Sequence, residues 1–415
     1  MKAIDGLASN NHPHLIPNFK KPERKLLSVF MAVLEIVPEF RGTMLKLCGY
    51  GSGKTCKYQS YMEPHYNAPQ LPNVYPDGLI VCQRGQSNWS AFIEAKAENN
   101  KIRPDQILEY ADLASRLDID AVISISNEYA VSPIDLPYHL AGNKRRKRDI
   151  YHLSWPEIRT AIGLFLGASN TCNEAEISVL QHALNFMHSE RSGVETYDLM
   201  PQDWAKFVES ANTALGFSAN TSGVMEIVRG WQQERRDICA KLNGEFGGGI
   251  ELRHRSGARS TPTEGTNSDK KFLAEDYQLT AAFFFKESKC SLDIVSDLKA
   301  CSHRIALQLN PPDGRKAKAT ISWLAGKLFN LSSKQYSIGI TWPGHGKDTR
   351  VKLEHFLNYP ETIYEGRKEA PKHMTIIARH RDVRRFKSRK KFIEDLESTA
   401  INLVEEASRT GLLGR

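Results

Sequence analysis

Two apolar runs on either side of a glycine turn constrain this chain more than any other feature, because each carries a carboxylate at one end. Asp77 opens the first run, Gly78-Leu79-Ile80-Val81-Cys82. A polar stretch containing Gly85 follows, as a hairpin turn requires. The second run is Trp89 to Lys96, ending in Glu94-Ala95-Lys96. Residues two apart in a strand share a face, so Glu94 and Lys96 project together while Ile93 and Ala95 point the other way. Two carboxylates converging with one ammonium can hold a hard cation and activate a water beside it. Hydrolysis of a phosphodiester needs that set.

The flanking elements fit a mixed α/β core. A helix is expected from Pro22 to Val37, ending before Pro38, with an apolar stripe at Leu26, Phe30, Val33 and Val37. A first strand is expected over Tyr58 to Met62. A second helix opens at Pro104, with its stripe at Ile107, Ala111, Ala114 and Leu117, and Gln106 and Tyr110 together on a neighbouring face. Ala121 to Ile125 then reads as a strand buried on both sides. The order is helix, strand, strand, strand, helix, strand, with the acids on the second and third strands.

Over roughly residues 22–130, this arrangement resembles the PD-(D/E)XK nuclease superfamily, the restriction-endonuclease-like fold, and its RecB-like branch in the Gln106…Tyr110 pair. The resemblance implies a metal-dependent nuclease, acting on DNA before RNA and suited to prokaryotic DNA defence or repair. Asp77, Glu94 and the carbonyl of Ala95 would bind Mg²⁺ or Mn²⁺. Lys96 would orient and help ionise the attacking water or stabilise the charged transition state, and Gln106 and Tyr110 would contact the substrate strand. Some members carry a further acid on the first helix. Glu23, bordering the buried face, is the candidate, although an acid in a first turn also complements the helix dipole. Glu63, at the edge of the first strand, is a second. A scaffold of the same fold without activity is the alternative.

Cys48-Gly49-Tyr50-Gly51-Ser52-Gly53-Lys54-Thr55 nearly spells a Walker A loop and raises a P-loop NTPase as a further alternative. Such a loop must run into a helix whose N-terminus faces the phosphates. Here the chain runs into Tyr-rich, strand-like sequence closed by Pro64, so the glycines are expected to join a helix to the first strand.

At 415 residues, with 40% hydrophobic and 25% charged, the chain is long enough for two or three cored domains. A polar N-terminus broken by Pro13 and Pro17 lacks a signal-peptide core, and no run is long enough to span a membrane. Seven cysteines without a C-x-x-C pattern argue for reduced thiols and against structural zinc, and the 13 histidines show no ligand spacing. A soluble cytoplasmic protein is expected. Nothing in the sequence sets the oligomeric state, a homodimer included.

The net charge of +8 is concentrated. From Arg367 to Lys391 there are eleven Lys or Arg against two acids, and Lys144-Arg145-Arg146-Lys147-Arg148 forms a second cluster. Basic clusters suit a phosphate backbone, where neutralised phosphates release counterions. Lys144, Arg145 and Arg146 are therefore candidate substrate contacts, against the ordinary reading of a solvated loop.

The expected organisation is α+β throughout: a nuclease-like domain over 22–150, a helical region over 151–243, a linker or mobile loop over 244–270 and an α+β unit over 271–415. Ser154-Trp155-Pro156-Glu157 reads as a capping box for a helix through Leu166. Further helices are expected at Glu174–Glu190, Gln202–Leu215, Val224–Leu242 and near Lys316–Leu328. Trp204 and Trp231 read as core anchors. Strands are expected at Gln278–Phe285, Arg304–Leu309 and Tyr336–Thr341.

Overall fold

The computed structural model describes residues 7, 11–51, 56–66, 74–85, 87–128, 130, 132–134, 136–140, 148–168, 172–195, 198–213, 216–246, 249–253, 262–331, 336–344 and 348–413. The chain is α+β and divides into two compact units, Met1–Thr196 and Tyr197–Arg415, each with its own sheet. The division falls inside the stretch read as one helical region, so its helices are shared between the two units. Among the described residues no helix is long and apolar enough to cross a membrane.

The first unit opens with α1 (Pro22–Ile36) and α2 (Pro38–Leu47), followed by β1 (Lys57–Met62), β2 (Gly78–Arg84), β3 (Ser87–Ala95), α3 (Pro104–Leu117), β4 (Ala121–Ser126), β5 (Asp149–Ser154), α4 (Trp155–Gly167) and α5 (Glu174–His188). Its sheet runs β1-β2-β3-β4-β5. The pairs β1/β2 and β2/β3 are antiparallel, and β3/β4 and β4/β5 are parallel. One face packs on α1, α4 and α5 through Ile93, Ala95, Ile123, Trp155 and Leu180. The other packs on α3 through Phe92, Val122, Ile107 and Ala111.

Two departures from the sequence reading have simple causes. The narrow stripe expected on α1 is instead a helix buried nearly all round, because α1 lies between the sheet and α5. Pro38 ends α1 but also starts α2, where a proline in the first turn loses no hydrogen bond. The Gly-rich loop therefore follows a second helix. Ser52 to Thr55 lie outside the described residues, but by Lys57 the chain is in strand β1, so the helix that a P-loop needs does not follow. The Ser154 hydroxyl accepts from the Glu157 N–H at 3.1 Å, capping α4 as read.

The second unit contains α6 (Trp204–Ala211), α7 (Val224–Phe246), β6 (Ile250–Arg253), α8 (Pro262–Glu275), β7 (Gln278–Phe285), β8 (Cys290–Asp297), β9 (Ser302–Leu309), α9 (Ala317–Leu328), β10 (Ser337–Thr341), β11 (Thr349–Lys352), α10 (Leu353–Asn358), α11 (Glu361–Tyr364), β12 (His373–Arg381), α12 (Val383–Lys387) and α13 (Arg389–Arg409). Its sheet is ordered β11-β10-β12-β9-β8-β7-β6, every pair antiparallel. The segment read as a linker thus supplies an edge strand and the start of a helix. Trp204 and Trp231 are fully buried, and their ring N–H groups donate to the carbonyls of Phe386 and Thr280.

Alternating burial along β7 and β8 marks one packed and one open sheet face. On the packed face His303 sits against the rings of Phe386 and Phe392, with Nδ1 2.9 Å from the Ser296 hydroxyl. Burial holds its pKa down at about 3, with His380 adding to the depression. The unfolded chain therefore takes up this proton first, so stability is lost as pH falls below the ordinary histidine value of about 6.5. His303→Phe removes that titration. At pH 7.5 the variant should be less stable, by about 1–3 kcal/mol for an orphaned Ser296 and a tighter core. Urea denaturation down to pH 4.5 should close the gap by about 2–3 kcal/mol. A constant gap would rule out the buried neutral histidine.

Candidate metal and phosphodiester site

The carboxylates of the sequence reading meet at the mouth of the β2/β3 hairpin. Gly78 begins β2 pressed against α1, where an added Cβ would come within 3.0 Å of the Met31 sulfur. That close approach fixes Asp77 at the strand's start. Its main-chain carbonyl accepts from the Glu63 N–H at 2.9 Å, and its Oδ2 accepts from the Ala95 N–H at 3.0 Å. Glu94 and Lys96 do project together, and the Lys96 ammonium donates to Glu94 Oε1. Ile93 and Ala95 face the opposite core, as their alternation demands.

Three features make this a strained cluster of charge. Glu94 is 1% exposed, and among the described residues its Oε2 has no hydrogen-bond partner. Burial, followed by the charge of Glu94, raises the Asp77 carboxyl from the usual carboxylate range to about 7. The third concerns Ala95. In an antiparallel ladder a residue's N–H and C=O point to the same side. The Ala95 N–H points at Asp77, so its carbonyl faces the same side.

A buried orphan carboxylate oxygen, a carboxyl pushed toward neutrality by burial and a second acid, and a carbonyl facing the same side suit one hard cation. Magnesium commonly combines one or two carboxylates with retained waters. Among the described residues no group of three or more His, Cys, Asp or Glu side chains converges as a metal site. Glu23 and Glu63 therefore do not complete a third carboxylate. Glu23 stays in the first turn of α1, and Glu63 pairs with Arg24 at 2.6 Å.

Helix α3 brings Gln106 and Tyr110 to the same corner. The Gln106 amide donates to the Tyr110 hydroxyl at 2.7 Å, which donates to the Tyr75 carbonyl at 2.9 Å. Burial, with the charges of Glu94 and Asp77, raises the Tyr110 pKa, placing the phenol beside the acids. Lys144, Arg145 and Arg146 lie outside the described residues. Arg148, the last of that run, pairs with Asp118 at 3.0 Å.

Some contributors escaped the sequence reading. Trp155, recognised there only as part of a helix cap, donates its ring N–H to the Lys96 carbonyl at 2.7 Å, while the Lys96 N–H donates to Ile125 at 2.8 Å. The backbone under the ammonium is thereby held from two sides. Register also sets Ser124 beside Glu94 and His152 beside Ser124, making one row across three strands. The Ser124 hydroxyl lies 2.9 Å from His152 Nδ1 and 2.7 Å from the Tyr138 hydroxyl. Burial lowers the His152 pKa to about 4, so the ring is neutral near pH 7. This row is a satisfied support for the wall of the site. No family model, curated protein or solved structure matches the chain.

Proposed function

We propose that the first unit is a metal-dependent nuclease of the PD-(D/E)XK kind, hydrolysing nucleic-acid phosphodiesters, DNA before RNA. The observation that carries this reading is the convergence of Asp77, Glu94 and Lys96 at one strand end, with a buried Glu94 oxygen that no donor among the described residues satisfies. The element order and the placement of both acids support it, as does the position of Gln106 and Tyr110 beside them.

Asp77, Glu94 and the Ala95 carbonyl would hold Mg²⁺ or Mn²⁺, which when bound supplies Lewis-acid polarisation of a phosphoryl oxygen and a lowered water pKa. Asp77 and Glu94, brought to one strand end, would fix where that ion sits. Lys96 sits where an ammonium can orient a water and offset charge developing on the phosphoryl oxygens. Gln106, partly exposed, would meet the substrate strand, and Tyr110, buried and tied to Gln106 and to the Tyr75 carbonyl, would hold it in place.

Purified protein incubated with linear duplex, circular duplex, single-stranded DNA and RNA should cleave at least one DNA form with Mg²⁺ or Mn²⁺ and none with EDTA. Cleavage that persists in EDTA would exclude the metal-dependent reading. Absence of cleavage from every substrate in both metals would leave the inactive scaffold.

A further inference from the structure

The second unit carries a charged surface that the nuclease reading does not use. On the open face of its sheet, register places Arg304 of β9 directly opposite Arg379 of β12. Arg350 of β11 is opposite Gly339 of β10, where an added Cβ would touch Thr375 and Ile377 of β12. The charge of Arg350 reaches Arg304 more strongly than that of Arg379, and with burial both lower the Arg304 pKa. Like charges on adjacent strands destabilise a sheet. Among the described residues none of these three guanidiniums forms a salt bridge, and only the Asp293 charge acts back on Arg304.

Between them the floor holds Ala306, Thr375, Ser337 and Gly339 together with Ile377, a large apolar side chain opposite both Ala306 and Ser337 and only 2% exposed. At the far edge Arg253 of β6 lies 3.5 Å over the ring of Phe284. From β6 to β11 the face crosses six strand spacings, about 29 Å at about 4.8 Å each. Near β7 a cavity of about 290 Å³ is lined from the sheet by Thr280, Asp293 and Arg304 and from α7 and α8 by Arg235, Asp269 and Phe272. None of the exposed large apolar side chains among the described residues lies on these strands, which disfavours a lipid surface.

Much of the basic run from Arg367 to Lys391 is engaged internally. Arg385 pairs with Asp395, Lys387 with Glu209 and Lys391 with Glu394, while Arg389 donates to the Met200 carbonyl. Arg379 and Arg381 are the members of that run that β12 exposes on the open face.

We infer that the open face of the seven-stranded sheet binds a single strand of nucleic acid, its phosphates lying along Arg304, Arg350 and Arg379. A flat sheet offers no helix or ribbon to enter a duplex groove, whereas spaced guanidiniums along a shallow trough can track a flexible phosphate backbone. The stacked Arg253–Phe284 pair provides a planar surface for a base at one end.

The test is fluorescence anisotropy of labelled oligothymidylate with the full chain in EDTA, so that cleavage plays no part. The variant Arg304→Gln/Arg350→Gln/Arg379→Gln should bind at least about 10-fold more weakly and lower the salt slope by about 2. Replacing the same three residues by Lys should restore most of the affinity. The charge-matched control Lys271→Gln/Lys316→Gln/Lys318→Gln, at exposed sites on α8 and around α9, should stay within about 2-fold of the parent. Unchanged binding by the arginine variant, an equal loss in the control, or tighter binding of a duplex of the same length would each overturn the inference. Because the face belongs to the second unit, its failure leaves cleavage by the first intact. Absence of cleavage, conversely, leaves this binding test standing.

Discussion

Asp77→Asn and Glu94→Gln should each abolish cleavage, by about 10³-fold or more, and lose Mg²⁺ affinity with it. Among the described residues the cluster holds two carboxylates and each variant removes one, so no third acid among them replaces the lost one. Nucleic-acid binding should persist or tighten, because a negative charge facing the phosphates has gone. Lys96→Ala should behave differently. Its ammonium pairs with Glu94 but supplies no metal-binding oxygen, so cleavage should fall about 10²-fold or more while metal affinity holds or rises. Metal titration and single-turnover cleavage on the same proteins separate these roles. Parent-like cleavage by Lys96→Ala would remove the lysine from the mechanism, and parent-like Mg²⁺ binding by Asp77→Asn would remove the metal site itself.

The site was legible in sequence to the extent that its chemistry is local. Period-two alternation around Glu94-Ala95-Lys96 determines which side chains share a face, and the hairpin returns Asp77 to the end of the same strand. Gln106 and Tyr110 were readable for a similar reason, since residues four apart on a helix are neighbours. Trp155 was not, because its contact with the Lys96 carbonyl spans 59 residues and depends on how α4 packs. The row of Ser124 and His152 depends on parallel register, which no short-range pattern announces.

In the second unit, β12 was hidden because its outward residues belong to a basic run that reads as solvated surface, although Met374, Ile376 and Ile377 are buried. The alternation Cys290-Ser291-Leu292-Asp293-Ile294 in β8 is a period-two strand pattern that the sequence does display. The unit boundary at Thr196 was illegible for a different reason. The helices on both sides are similar in composition, and only the cores they join distinguish them.

Asp77→Asn should also make the first unit more stable in EDTA, and the gain should depend on pH. Burial and the Glu94 charge hold the Asp77 carboxyl at about 7, above its unfolded value near 3.8. A raised carboxyl pKa means that the folded state keeps the proton longer than the unfolded state. Its favourable contribution is complete below about pH 3.8 and is lost as pH rises through about 7. Above pH 7.5 the parent therefore carries the full cost of two buried neighbouring acids, which the neutral amide avoids. The amide still offers an oxygen to the Ala95 N–H and brings a donor that the orphan Glu94 Oε2 lacks. The expected gain is about 2–4 kcal/mol at pH 8, shrinking toward zero by pH 4. Millimolar Mg²⁺ should narrow the difference at pH 8 by stabilising the parent alone, through binding to the folded state. Urea denaturation at pH 4, 6 and 8, with EDTA and with Mg²⁺, measures both effects. A variant less stable than the parent at pH 8 in EDTA would mean that Asp77 is already satisfied by the protein, and the case for a cation at this strand end would fail with it.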